Sequence, residues 1–190
     1  MRRIALIGDI GSGKTFFSKL FKYPVFNADL IVSNLYKNDK YLFSKIKKRF
    51  PQIISSFPLK KAELLKIILK RPNNLKILSK IIHPQVRKKM HEFLNKYRKK
   101  KFVILDVPLF LENKLNITED IIIFIEADKK KIRDKIKERK NINLKLINIL
   151  RKNQFSSGLK KKKSTYIIKN NFVSNTAKKN VKLILKKLSK

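Results

Sequence analysis

The segment Gly8–Thr15, with the sequence GDIGSGKT, most constrains what this chain can fold into. The chain has 4 glycines among its 190 residues, and three of the four fall within this segment. An apolar run over residues 3–7 precedes it and predicts a buried strand, while residues 14–22 predict a helix after it. A glycine-rich loop between a buried strand and a helix is typical of a parallel α/β sheet.

The same segment matches the pattern G-x-x-x-x-G-K-[ST] of a phosphate-binding loop. Its glycines let the backbone fold tightly and point N–H groups at phosphates, Lys14 reaches the β- and γ-phosphates, and the Thr15 hydroxyl ligates Mg²⁺. A chance glycine-rich turn is the alternative, and the flanking strand and helix argue against it. We interpret Asp9 as a tolerated residue whose side chain faces solvent. The predicted ATP-binding residues are Gly8, Gly11, Ser12, Gly13, Lys14, Thr15 and Phe16.

Strands and helices alternate along most of the chain, which predicts an α/β fold with a parallel sheet and helices on both faces. Residues 30–98 are the exception, because they look helical throughout, with Pro51, Pro58, Pro72 and Pro84 as punctuation. We interpret this stretch as an insertion into the sheet domain. The predicted strands are 3–7, 23–29, 101–110, 120–127 and 164–170, and the further helices are 129–140, 143–154 and 174–188.

Acidic residues are scarce, with 13 Asp and Glu in total, and two of them end predicted strands. Asp106 ends the strand V-I-L-D, where a nucleotide-binding sheet carries the acid that supports Mg²⁺, and an N-cap or turn aspartate is the alternative. Asp29 ends the second strand, so its carboxylate is predicted at the ligand-binding edge of the sheet. It could accept the proton of a substrate hydroxyl, or it could cap the following helix, and the sequence leaves these two alternatives equal.

The formal net charge is +36, from 49 Lys and Arg against 13 Asp and Glu. Nucleic-acid binding is one explanation. We favour a second explanation, in which lysine has accumulated at exposed positions through compositional drift. The lysine runs are spread along the chain and do not alternate with aromatic residues. We therefore expect nucleic acid to bind only without specificity. The absence of cysteine is compatible with the cytoplasm, and no apolar run approaches a membrane span.

The chain carries, in this order, the loop GDIGSGKT, Ala28-Asp29, His83-Pro84 with Arg87, Asp106–Glu112 (DVPLFLE), Arg139, Gln154 and Lys160, and Asn170. With these motifs it resembles the dephospho-CoA kinase family, and the resemblance runs from residue 2 to about residue 188. It implies that ATP phosphorylates the ribose 3′-hydroxyl of dephospho-CoA, with Mg²⁺ and in the cytoplasm. Asn27 stands where the family has the first aspartate of its D-A-D motif.

The resemblance also implies roles for single residues. Lys14, Asp29 and Arg139 would be catalytic, with Asp29 as the base and Arg139 as an arginine of a lid over the phosphates. Asp29, His83 and Arg87 would bind the substrate, with a simple helix-entry residue before proline as the alternative for His83. The implied core comprises residues 1–30, 84–137 and 156–190, the substrate-binding insertion residues 31–83, and the lid residues 138–155. The alternatives are another small nucleoside or nucleotide kinase, and a degenerate phosphate-loop protein that binds polyanions. The oligomeric state stays open.

Overall fold

A computed structural model describes residues 1–71, 73–138 and 143–189 of the chain. The chain divides into two compact units. Unit 1 comprises Met1–Asn27, Tyr97–Asn143 and Leu150–Lys190, and unit 2 comprises Ala28–Lys96 and Leu144–Ile149.

Five strands and nine helices are assigned within the described residues. The strands are β1 (Arg2–Gly8), β2 (Val25–Asn27), β3 (Phe102–Asp106), β4 (Ile121–Ala127) and β5 (Tyr166–Asn170). The helices are α1 (Lys14–Leu20), α2 (Ala28–Asn38), α3 (Lys40–Arg49), α4 (Lys61–Lys70), α5 (Asn73–Lys96), α6 (Lys129–Lys137), α7 (Leu144–Lys152), α8 (Ser157–Lys162) and α9 (Ser174–Ser189).

Unit 1 contains a five-stranded sheet in the order β2-β3-β1-β4-β5, and every neighbouring pair is parallel. All residues of β3 are buried, as expected for a central strand covered on both faces. Phe17 of α1, Phe21 at the C-cap of that helix and Val181 of α9 contribute to the main core of this unit, where they pack with Ile4 and Phe102 of the sheet. Because all strands run the same way, their carboxyl ends meet at one edge, and the loop after β1 lies at that edge.

Unit 2 is helical and has a core of its own. The long helix α5 packs against α2, α3 and α4. Apolar side chains at helical spacing fill the space between these helices, and Leu42, Ile46 and Ile67 are fully buried. Asn74 is also buried, and its side-chain amide donates a hydrogen bond of 2.8 Å to the Ile67 carbonyl at the end of α4.

The elements differ from the sequence predictions in several places, and the predicted strand 101–110, for example, stops at Asp106. Strand β2 ends at Asn27, so Asp29 lies in the first turn of α2 and not at the end of a strand. A carboxylate in a first helical turn is stabilised by the helix dipole, which favours an early helix start. Pro84 does not end a helix, because α5 continues through it. Helix α8 was not predicted, since its sequence SGLKKK carries no apolar periodicity.

Candidate active site

The loop between β1 and α1 adopts a backbone that only glycine accommodates well. Gly13, the N-cap of α1, has φ 95° and ψ 13°, in the left-handed region. A Cβ atom at Gly13 would lie 2.6 Å from Asn170 Nδ2. A Cβ at Gly8 would lie 2.6 Å from Ser12 Oγ and 2.7 Å from the Ile125 carbonyl oxygen. The glycines of the motif therefore allow close approach within the loop as well as unusual dihedral angles.

Lys14 lies over this loop. Its ammonium donates hydrogen bonds to the carbonyls of Gly8 and Asp9, at 3.1 and 3.0 Å. Thr15 and Phe16 follow on the exposed side of α1. The Ser12 hydroxyl is buried and has no hydrogen-bond partner among the described residues. A loop with this backbone, a lysine above it and an unpaired hydroxyl within it fits a nucleotide phosphate.

Asn170, at the end of β5, supports the loop from within unit 1. Its side-chain amide donates 2.8 Å to the Ser12 carbonyl, and its oxygen accepts from the Phe172 amide at 2.8 Å. Asn170 is 6% exposed, so both hydrogen bonds are shielded from water. The resemblance matched Asn170 to a family position without assigning it a role, and the structure shows that it holds the phosphate loop.

Asp106 ends β3 opposite Asn27 at the end of β2, as the sheet register shows. The Asn27 side-chain amide donates 2.7 Å to Asp106 Oδ2, and Asp106 is 3% exposed. Asn27 thus fixes the Asp106 carboxylate at the carboxyl edge of the sheet. The Thr15 hydroxyl and the Asp106 carboxylate, both in unit 1, offer the oxygen ligands that Mg²⁺ prefers.

Protein side chains alone do not form a metal cluster in the part of the chain that is described. No group of three or more His, Asp or Glu side chains there could hold a metal ion. This agrees with the usual binding of Mg²⁺ by one or two protein ligands together with water and substrate phosphates.

The interpretation of Asp9 as a solvent-facing residue is wrong. Its carboxylate accepts hydrogen bonds from Lys160 Nζ at 2.8 Å and from Ser157 Oγ at 3.1 Å, both on α8. Burial alone raises the pKa of Asp9, but the hydrogen bond and charge of Lys160, with smaller contributions from Ser157 and Lys14, hold that pKa below its ordinary value. Sequence reasoning missed this contact, although the resemblance matched Lys160 to a family position.

A second missed contact joins the segment after β3 to the chain before α8. Glu112 accepts a hydrogen bond of 2.8 Å from the backbone N–H of Phe155. Glu112 also lines a small cavity in unit 1 together with Gly8, Lys14, Gln154 and Lys160. The final acid of the segment DVPLFLE therefore helps to shape the surroundings of the phosphate loop.

The predicted substrate-binding residues belong to unit 2. Asp29 lies in the first turn of α2, while His83 and Arg87 are one turn apart on α5. Burial of His83, together with the charge of Arg87, holds the pKa of the imidazole below its ordinary value, which favours the neutral ring near pH 7. Arg139, the predicted lid arginine, lies outside the described residues.

A family model described as dephospho-CoA kinase matches residues 2–176. The chain belongs to the dephospho-CoA kinase family. Among curated relatives, the dephospho-CoA kinase of Wolbachia pipientis wMel is 35% identical over 170 residues, which cover 87% of this chain and 87% of that protein. The resemblance stated from the sequence motifs and the predicted kinase class are both confirmed.

Solved structures with the same fold include TT1252 from Thermus thermophilus, with a TM-score of 0.81 and 23% identity over 98% of this chain and 97% of that chain. Dephospho-CoA kinase from Campylobacter jejuni has a TM-score of 0.68 and 21% identity, over 100% of this chain and 98% of that chain. This likeness and the parallel sheet confirm the predicted α/β fold. None of the helices described here is long and apolar enough to cross a membrane.

Proposed function

We propose that this chain transfers the γ-phosphoryl group of ATP to the ribose 3′-hydroxyl of dephospho-CoA, giving CoA and ADP, the last step of CoA biosynthesis. The phosphate loop Gly8–Thr15, with the Lys14 ammonium above it, carries the proposal within a chain of this family. The family's biosynthetic role supports the cytoplasm as the place of this reaction. The proposed core, insertion and lid are those that the resemblance implies.

The loop residues bind and orient the phosphates. The backbone N–H groups of the loop bind phosphate oxygens, and Lys14 neutralises charge on the β- and γ-phosphates. Thr15 and Asp106 would hold Mg²⁺, which adds positive charge beside the transferring group. Phe16 is proposed to contact the nucleotide from the exposed start of α1, where the residue is 45% exposed. Arg139 is proposed to stabilise charge on the transferring phosphoryl group through its fixed fork of donors.

Residues of unit 2 are proposed to bind the substrate and to activate its acceptor hydroxyl. Asp29 is proposed to accept the proton of the 3′-hydroxyl, which makes the oxygen a better nucleophile. His83 and Arg87 are proposed to bind dephospho-CoA. An imidazole held neutral offers one N–H donor and one acceptor, and Arg87 offers a cation that suits phosphate oxygens.

The test is a coupled assay of ADP formation with MgATP, in the presence and absence of dephospho-CoA, with the product identified by mass. We expect ADP formation to depend on dephospho-CoA and the product to carry one additional phosphate. Parallel reactions with nucleosides and nucleoside monophosphates test for another small kinase. Transfer to one of these acceptors alone would refute the proposed substrate. If none of these acceptors, including dephospho-CoA, supports turnover of ATP at moderate salt, the polyanion-binding alternative remains.

A further inference from the structure

Helix α8 carries a lysine that is buried against the phosphate loop. The Lys160 side chain is 3% exposed, and its ammonium lies 2.8 Å from Asp9 Oδ1. Ser157, on the same helix, donates to the other carboxylate oxygen. A lysine is rarely buried unless it is paired, so the position of Lys160 depends on the Asp9 carboxylate.

The charge of Asp9 poses a problem for an anion-binding loop. Asp9 is the second residue of the motif, and its backbone carbonyl already accepts from Lys14. A carboxylate at this position repels phosphates through the low-dielectric surroundings of a half-buried loop. The Lys160 ammonium cancels that charge at contact distance, and the Ser157 hydroxyl occupies the remaining oxygen.

We propose that Lys160 is a positioning residue for the nucleotide site, one that neutralises the Asp9 carboxylate and so allows the loop to accept a triphosphate. This inference rests on the proposed function, because it assumes that the loop binds ATP. Lys160 acts through Asp9 and need not touch the nucleotide. Ser157 and Lys160 lie on one turn of α8, and both donate to Asp9, so they also link this helix to the loop.

The test is a double-mutant cycle on the affinity for MgATP and for MgADP, measured by calorimetry with Lys160→Met, Asp9→Asn and the double variant. We expect Lys160→Met to weaken MgATP binding about 10-fold or more, because it removes the main charge that compensates the Asp9 carboxylate. The loss should be larger for MgATP than for MgADP, since the more highly charged ligand is repelled more strongly. Asp9→Asn and the double variant should stay within about 3-fold of wild type.

Lys161→Met is the matched control. It removes the same charge from the same helix, but Lys161 is exposed and pairs with Glu126 at 2.5 Å. We expect its effect to stay within about 2-fold, because exposed ion pairs and distant charges contribute little at physiological salt. A loss equal to that of Lys160→Met would mean that net charge alone sets the affinity, and would overturn the proposal.

Other results would also overturn it. A double variant as weak as Lys160→Met would show that Lys160 acts on the nucleotide directly. An equal loss for MgATP and MgADP would indicate a purely structural role. If Lys160→Met does not fold, the test is the MgATP affinity of the double variant. The proposal expects this affinity to be near that of the wild-type protein. Wild-type protein that binds no MgATP would refute the proposed function and this inference together, whereas binding with an additive cycle would refute the inference alone.

Discussion

Gly13→Ala tests whether the phosphate loop depends on glycine for the two reasons seen in the structure. The first is the backbone, since φ 95° lies in the left-handed region, which costs an L-residue about 1 to 2 kcal/mol. The second is space, because the new Cβ would lie 2.6 Å from Asn170 Nδ2. Asn170 cannot move away without losing buried hydrogen bonds, which costs about 1 to 3 kcal/mol. The free energy of unfolding should therefore fall by about 2 to 5 kcal/mol.

The assay is urea unfolding followed by far-UV circular dichroism, because the chain contains no tryptophan. Gly158→Ala is the matched control: a Cβ there meets no atom within 4 Å, and the residue lies in α8. It should leave stability unchanged or raise it by up to about 1 kcal/mol. Asn170→Ala combined with Gly13→Ala should cost less than the sum of the single variants, because the clash is gone. Equal stabilities of the Gly13 and Gly158 variants would refute this account of the loop.

Four further predictions concern catalysis, charge and pH. Lys14→Met should lower turnover about 100-fold or more in the coupled assay with the fold retained, while Lys19→Met on the same helix should not. Asp29→Asn should lower turnover about 100-fold or more with little change in ATP affinity, whereas Asp39→Asn, which keeps a helix cap, should leave turnover unchanged; normal turnover of the Asp29 variant would favour a purely structural role in the first turn of α2. The protein should bind a labelled DNA duplex without sequence preference. A plot of the logarithm of the binding constant against the logarithm of the salt concentration should have a slope of about −4 to −5, and a single preferred sequence near physiological salt would contradict this prediction. Because the pKa of His83 is lowered from 6.5, its neutral form stabilises the fold above that pH; stability should fall as pH drops from 6.5 toward the lowered pKa, and His83→Gln should flatten this part of the curve.

The sheet and its phosphate loop could be predicted because their sequence signals are local. The run DIIIFIEA predicted a strand over 120–127, and β4 covers Ile121–Ala127. The loop carries its own pattern of glycine, lysine and threonine, and the preceding strand and following helix set its position. Asp106 was placed correctly at the end of β3 for the same reason: the apolar residues before it fix where the strand ends.

The surroundings of the loop could not be predicted, because they depend on contacts between distant parts of the chain. Asp9 and Lys160 are far apart in sequence, and a lysine is the residue least expected in a buried position. Helix α8 has a basic sequence that looks like a solvated segment, although one of its lysines is buried. Asp29 was misplaced by two residues because a short strand followed directly by a helix leaves no turn residue to mark the boundary.

The positions of the acidic side chains bear on the origin of the net charge of +36. Many of the 13 acids accept a specific hydrogen bond that a basic side chain could not accept. Lysines, in contrast, are mostly exposed on helix surfaces, where many residue types are tolerated. A composition rich in lysine therefore fills the exposed positions, and acids persist where the fold needs an acceptor; this arrangement favours a drifted surface over a built nucleic-acid groove. Acids with such contacts are Asp9 with Lys160, Asp39 and Asp128 at the N-caps of α3 and α6, Glu63 at the start of α4, Asp106 with Asn27, Glu112 with the Phe155 amide, and Asp120 with Arg3.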